Sequence, residues 1–207
     1  YIIIINITNV MKKLLPLCTL FLTMVGYGQK RELDVRAIVK EAKAGDKIAQ
    51  YNLGIFYLLG AENLPKSYTE AVRWWEKSAL QGMDLAQMRL GWAYENGIGV
   101  SLSYSKAVEW YQKAAEQGEK EAQEYLGYCY MYGRGVTKDY AQAFHLFEKA
   151  AQDDEFGKGR AGAQFGLGAC YGKGEGGVPK DNKKATYWLK KACIGGVEQA
   201  CKILSMK

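Results

Sequence analysis

Side chains able to do covalent or acid–base chemistry are few and scattered in this chain. The 207 residues include five cysteines and a single histidine, His145. No Cys-x-x-Cys pair and no Cys/His cluster with metal-ligand spacing occurs. Because no base is placed beside a candidate nucleophile, the sequence predicts no catalytic residues, no metal, no cofactor and no enzymatic activity.

Two short motifs match functional signatures in spelling. Ser103-Tyr104-Ser105-Lys106 is a Ser-x-x-Lys sequence, the nucleophile motif of penicillin-recognising enzymes, but the companion Ser-Asp-Asn and Lys-Thr-Gly motifs are absent. Residues 157–162 spell Gly-x-Gly-x-x-Gly, yet they follow a helical pattern and not the strand that a dinucleotide site needs. We interpret Ser103 as a helix cap and the glycine motif as chance.

The organisation of the chain follows from a segment that is repeated four times. The copies begin at Ala49-Gln50, Ala86-Gln87, Ala122-Gln123 and Ala163-Gln164, so the steps are 37, 36 and 41 residues. A period of this size predicts stacked helical hairpins, because one hairpin cannot bury its own apolar face. Each first helix contains a Leu-Gly pair: Leu53-Gly54, Leu90-Gly91, Leu126-Gly127 and Leu167-Gly168. A helical glycine costs roughly 1 kcal/mol, so its recurrence indicates close contact between helices.

A second helix follows in every copy. Its predicted N-caps are Ser67, Ser103, Asp139 and Asp181, all of residue types that accept a hydrogen bond from the first turn. Two large apolar residues come seven and eight positions later: Trp74-Trp75, Trp110-Tyr111, Leu146-Phe147 and Trp188-Leu189. We expect Trp110 to be buried between the helices of its own unit and the next unit.

These residues resemble the Sel-1-like repeat, a relative of the tetratricopeptide repeat. The second copy carries the family pattern as Ala86, Leu90-Gly91, Tyr94, Gly97-Ile98-Gly99-Val100, Lys106-Ala107, Trp110, Lys113-Ala114-Ala115 and Gly118. The first copy replaces the Gly-x-Gly-Val loop, and the fourth copy inserts one residue into it. The resemblance covers about 49–196 and implies an all-α protein, a right-handed α-solenoid of stacked antiparallel helix pairs, with a scaffold-like role.

The repeat register divides the chain into units. We expect about ten helices and no sheet. The units are an N-terminal capping helix at 29–48, repeats at 49–85, 86–121, 122–162 and 163–199, and a capping half-repeat at 200–207.

The first 28 residues have a different composition. Residues 11–28 begin with Met11-Lys12-Lys13, continue with an apolar core and end in small residues, as a secretory signal peptide does. A membrane anchor is the alternative, but the apolar core is short of the ~20 residues that a spanning helix needs. Residues 1–10 are interpreted as an upstream extension. Cleavage before Gln29 predicts a periplasmic or secreted protein with no membrane span, and lowers the net charge from +6 to +4.

Four cysteines would remain after cleavage, and an oxidising compartment permits disulfides. Cys193 and Cys201 resemble the helix-linking cysteine pair of the secreted, cysteine-rich branch of the family, and the resemblance implies a disulfide between them. Cys129 and Cys170 occupy equivalent positions in adjacent copies. Neighbouring helix axes lie roughly 8–10 Å apart, beyond easy disulfide reach, so these two are expected to be buried thiols.

Binding residues are predicted on the first helices, which line the concave surface in the tetratricopeptide relatives. Two positions that flank Leu-Gly hold Tyr51 and Ile55, Met88 and Trp92, Glu124 and Tyr128, then Phe165 and Ala169. A stripe rich in aromatic residues suits an extended peptide or an amphipathic helix. The alternative is that the following repeat covers these side chains.

The sequence therefore favours an exported, monomeric interaction scaffold or adaptor whose partner is a protein or peptide. Nucleic acid is not expected, because acidic and basic residues are mixed in every copy and form no continuous basic stripe. A weak β-lactam-binding or β-lactamase-like protein is the alternative implied by the cysteine-rich branch.

Overall fold

The computed structural model describes residues 35–61, 64–153 and 159–206. These described residues form ten α-helices, and their β-type pairing is limited to one isolated bridge between Ala61 and Leu64. The helices are α1 Val35–Lys43, α2 Lys47–Leu59, α3 Tyr68–Leu80, α4 Asp84–Asn96, α5 Tyr104–Glu116, α6 Lys120–Tyr132, α7 Tyr140–Ala151, α8 Ala161–Lys173, α9 Asn182–Ile194 and α10 Glu198–Ser205. The all-α solenoid predicted from the repeats is confirmed. The upstream extension and the signal peptide predicted at 1–28 lie outside the described residues.

Consecutive helices pair as hairpins in the order of the predicted units. The closest pairs are α2 with α3, α4 with α5, α6 with α7 and α8 with α9. Helices α1 and α10 stand at the two ends without a hairpin partner of their own and pack on α2 and α9. Each first helix begins two residues before its predicted repeat boundary, at Lys47, Asp84, Lys120 and Ala161.

Side-chain caps start the second helices, as expected. The Ser103 hydroxyl accepts a hydrogen bond from the backbone N–H of Lys106, and Asp181 accepts from the N–H groups of Lys183 and Lys184. Ser67 and Asp139 act in the same way on their own helices. Donors that no intrahelical carbonyl can reach are thereby satisfied.

The glycine of each Leu-Gly pair lies against a large side chain of the second helix. A Cβ atom built on Gly54, Gly91, Gly127 or Gly168 would lie within 3.0 Å of Trp75, Tyr111, Phe147 or Leu189, respectively. Such a contact is far inside van der Waals distance, so only glycine lets the two helices approach this closely. The close helix contact predicted from the recurring glycine is therefore present in every unit.

The glutamine of the repeated Ala-Gln pair joins one unit to the unit before it. The Nε2 groups of Gln50, Gln87 and Gln123 donate to the carbonyl oxygens of Ala42, Ala79 and Ala115 at 3.1, 3.2 and 3.2 Å. These carbonyls belong to the last turns of α1, α3 and α5, and they also accept from the backbone N–H groups of Gly45, Gly82 and Gly118. The three glutamines are buried, so the same bond recurs at successive junctions between units.

Trp110 is not the core residue of its unit. It is only partly buried, and it packs against a cluster containing Tyr51 and Trp75 from the preceding unit instead of against the next unit. Tyr111 is completely buried. Successive helical residues differ by about 100° around the axis, and the second position of the pair is the one that faces the glycine of the first helix.

We predict that Gly91→Ala destabilises the protein by about 1–3 kcal/mol, because the new methyl group would overlap the Tyr111 ring. This loss would occur although alanine is the better helix former by about 1 kcal/mol. Chemical denaturation measures the change in the free energy of unfolding.

Gly172→Ala is the matched control, since Gly172 also lies within a first helix, α8. A Cβ atom there would lie 3.8 Å from the nearest neighbour, Ala185 Cβ, an ordinary contact. This substitution should stabilise the protein by about 0.4–1 kcal/mol. Equal effects of the two substitutions would contradict the proposed role of Gly91.

Candidate interaction surface

The first of the two predicted rows of binding residues points into the junction between units. Tyr51 packs among residues of α3 and α4, and Met88 belongs to a cluster formed mainly by α5 and α6. Both side chains are almost completely buried. The prediction that Tyr51 and Met88 line an open groove is corrected. The next first helix covers this register, so both side chains hold successive units together.

Glu124 belongs to the same row and is also buried. Its Oε2 lies 2.9 Å from Nε of Arg160, the residue that precedes α8, and Arg160 also lies 3.8 Å from Glu121. Burial raises the pKa of Glu124, and the attraction of Arg160 offsets part of this rise. Close by, the Tyr128 hydroxyl donates to the carbonyl of Gly162 at 2.7 Å. These contacts fix α6 to α8, so Glu124 has a structural partner within the chain.

The second predicted row remains partly accessible. Ile55, Trp92 and Tyr128 lie on α2, α4 and α6, and each is half-buried. Phe165 of the first row is half-buried as well, because the short final helix α10 covers its register only in part. Ala169 is also half-buried.

Two exposed residues extend this row and were not identified from the sequence. Leu59 and Tyr132 lie four residues, about one helical turn, after Ile55 and Tyr128, and are 55% and 54% exposed. The helical period places them on the same side of their helices. We call Ile55, Leu59, Trp92, Tyr128 and Tyr132 the first-helix face. In the sequence a glycine that ends the helix follows each of these residues directly, so they look like the helix end and not like part of the binding row.

Aromatic stacking orders the centre of the first-helix face. The rings of Tyr128 and Tyr132 are nearly parallel, with centroids 6.0 Å apart, and Tyr128 also meets the buried Phe147 edge-on at 4.9 Å. The guanidinium carbon of Arg134 lies 5.3 Å from the centroid of the Tyr132 ring. One side of this stack therefore rests on the core, through the contact of Tyr128 with Phe147.

A carboxylate connects this face to the interior. Glu95, near the end of α4, accepts a hydrogen bond from the buried Tyr111 hydroxyl at 2.8 Å and lies 3.6 Å from Arg134. Burial, together with the charge of Glu95, raises the pKa of Tyr111, so this phenol stays a donor. Glu95 and Arg134, which lie beside the aromatic stack, are therefore paired with each other.

A sequence model of the Sel1 repeat matches four segments of the chain, residues 47–83, 84–119, 120–154 and 161–197. Together these segments cover more than half of the protein. The chain belongs to the Sel1 repeat family.

Two solved structures of Sel1-type proteins resemble this fold. A protective antigen of uropathogenic Escherichia coli strains with an SLR fold is 36% identical, with a TM-score of 0.75 over 83% of this chain and 35% of that chain. A Sel1 repeat protein from Oxalobacter formigenes is 34% identical, with a TM-score of 0.74 over 87% of this chain and 69% of that chain.

One curated protein shares sequence with part of this Sel1 repeat protein. The chitin synthase regulator SKT5 of Saccharomyces cerevisiae is 40% identical over 73 residues. The match covers 35% of this chain but only 10% of the yeast protein, so it concerns repeats and not the whole of that regulator.

The cysteines are arranged as the family resemblance implied. Cys193 and Cys201 form a disulfide across the turn between α9 and α10, with their Cα atoms 4.9 Å apart. Cys129 and Cys170 are free and buried. Burial raises their pKa values to about 12 and about 11, so both groups stay protonated at neutral pH.

The remaining candidates for chemistry have structural roles or lie apart. Ser103 caps α5, and the Lys106 ammonium lies 5.2 Å from the Tyr94 ring centroid. His145 is exposed on α7. In the glycine motif, residues 157 and 158 lie outside the described residues, whereas Gly159 N–H donates to Asp153.

No helix among the described residues has the length and apolar character to cross a membrane.

Thiol reactivity should follow from these environments. We predict that Cys129 and Cys170 of the protein beginning at Gln29 resist iodoacetamide at about pH 8, since thiolate is the reactive species. Unfolding without a reductant should expose two reactive thiols, and adding a reductant should expose four. Peptide mass mapping identifies the alkylated residues. Labelling of Cys193 or Cys201 before reduction would contradict the disulfide.

Proposed function

We propose that this Sel1 repeat protein is an exported scaffold that binds a segment of another protein, an extended peptide or an amphipathic helix, on the first-helix face. The observation that carries the proposal is the partly exposed row of large apolar side chains, with Tyr132 stacked on Tyr128. Aromatic anchors of this kind, supported by a rigid core, are typical of binding hot spots.

The paired charges around this row support a largely apolar mode of recognition. Glu95, Glu124, Arg134 and Arg160 already have partners within the protein, so a bound segment need not compensate a buried charge. A first-helix face that spans several units also offers repeated contacts at the spacing of the solenoid. An extended partner would therefore gain one contact site per unit.

Export is supported by the disulfide between Cys193 and Cys201, because disulfides persist in oxidising compartments and are rare in the cytosol. The proposed mature protein starts near Gln29 and acts as a monomer.

The surface can be tested with peptides selected from a random display library against the protein beginning at Gln29. We predict that Trp92→Ala and Tyr132→Ala each weaken binding of the selected peptides at least tenfold, because each removes an apolar anchor worth more than about 1.4 kcal/mol. Fluorescence anisotropy with labelled peptides measures the dissociation constants.

Tyr68→Ala supplies the control, since Tyr68 on α3 is an exposed tyrosine, at 41%, that lies outside the first-helix face. Its removal should change the affinity less than twofold. Peptides that depend on Tyr68 and tolerate loss of Trp92 and Tyr132 would contradict binding on the first-helix face.

A further inference from the structure

The excess positive charge of the protein is concentrated in its last unit. Residues 35–61 and 64–153 contain fourteen lysines and arginines and fourteen aspartates and glutamates. Residues 159–206 contain eight basic residues and only three acidic ones. The first three units are therefore balanced, whereas the last unit carries a net charge of +5.

Helix α9 is the centre of this charge. It contains four lysines and no acidic residue, whereas the equivalent helices α3, α5 and α7 each contain at least one glutamate. Two of the lysines, Lys183 and Lys184, lie in the first turn, where a positive charge opposes the helix dipole. The local energetics of the helix do not favour this placement.

The outward side of α9 forms one continuous stripe. Lys183, Tyr187, Lys190 and Ile194 follow at i, i+4, i+7 and i+11, which is one side of a helix, and all four are exposed. Ile194 is 88% exposed. Among the described residues neither Lys183 nor Lys190 has an ion-pair partner. We call these four residues the α9 stripe.

The equivalent stripes of the other units have a different character. On α3 the four positions hold Thr69, Arg73, Glu76 and Leu80, with Arg73 paired to Glu70; on α5 they hold Ser105, Glu109, Gln112 and Glu116, and on α7 Ala141, His145, Glu148 and Gln152. Because all four units share one backbone, the fold itself does not require lysines at this register. The composition of the α9 stripe is thus specific to the last unit.

We propose that the α9 stripe is a second docking surface, which binds an acidic segment of a protein partner. Two unpaired ammonium groups supply charge complementarity, and Tyr187 and Ile194 supply apolar contacts between and beside them. This surface lies on a second helix and is separate from the first-helix face.

A narrow acidic segment fits this surface better than a wide anionic one. Trp188 of α9 packs against a cluster that contains Phe147 of α7, and Glu148 on α7 is exposed at the position equivalent to Lys190. A flat anionic membrane lying against α9 would therefore approach Glu148 as well. A single peptide segment lying along α9 avoids this repulsion.

The test uses fluorescein-labelled decaglutamate as the probe, with the protein beginning at Gln29, in low salt. We predict that Lys183→Gln combined with Lys190→Gln weakens binding about tenfold, since both unpaired charges of the stripe are lost. The control is Lys40→Gln combined with Lys43→Gln, two exposed lysines on α1, which gives the same net charge. This control should stay within twofold of the unmodified protein.

The outcomes separate a local site from diffuse attraction. Equal loss in the two double variants would overturn the proposal, because binding would then depend only on net charge. Failure of the unmodified protein to bind decaglutamate would also overturn it. Cosedimentation with phosphatidylglycerol vesicles that exceeds decaglutamate binding would assign the stripe to a membrane instead. Circular dichroism confirms that all variants remain folded.

Discussion

The structure depends on the contact between a large side chain of each second helix and the glycine of the first helix. In each unit the side chain of Trp75, Tyr111, Phe147 or Leu189 occupies the space that a Cβ atom on the opposing glycine would fill. This contact sets the separation of the two helices in a hairpin. The buried glutamines then join each of the first three repeats to the helix that precedes it, through one hydrogen bond that recurs at each junction. A local steric requirement and one polar contact, repeated along the chain, thus generate the solenoid.

Both proposed docking surfaces follow from this arrangement. Beside the side chain seated on the glycine, the first helix is left partly uncovered, which exposes Tyr132 and part of Trp92. The outward side of each second helix is likewise free of packing constraints, so its composition can differ between units. The α9 stripe differs from the glutamate-containing stripes of α5 and α7 in this way. The repeated geometry supplies the positions, and the residues that vary between units give each surface its own chemistry.

The repeat spacing alone predicted the helices, their caps and the role of the Leu-Gly glycine, because these features recur at fixed positions. It did not distinguish Trp110 from Tyr111, since both are large and apolar and differ only by one step around the helix. It also placed Tyr51 and Met88 on a groove, because sequence does not show that the next unit covers their register. The repeated glutamine was visible in the sequence, but its partner, a carbonyl at the end of the previous helix, is a property of three-dimensional packing.

A double-mutant cycle between Gly91 and Tyr111 tests the central contact most directly. The free energies of unfolding of Gly91→Ala, Tyr111→Leu and the double variant would be measured by chemical denaturation. If the ring occupies the space above the glycine, shortening it should relieve the clash, and the two effects should be non-additive by at least about 1 kcal/mol. Additivity within about 0.5 kcal/mol, the behaviour of residues that do not touch, would contradict the account.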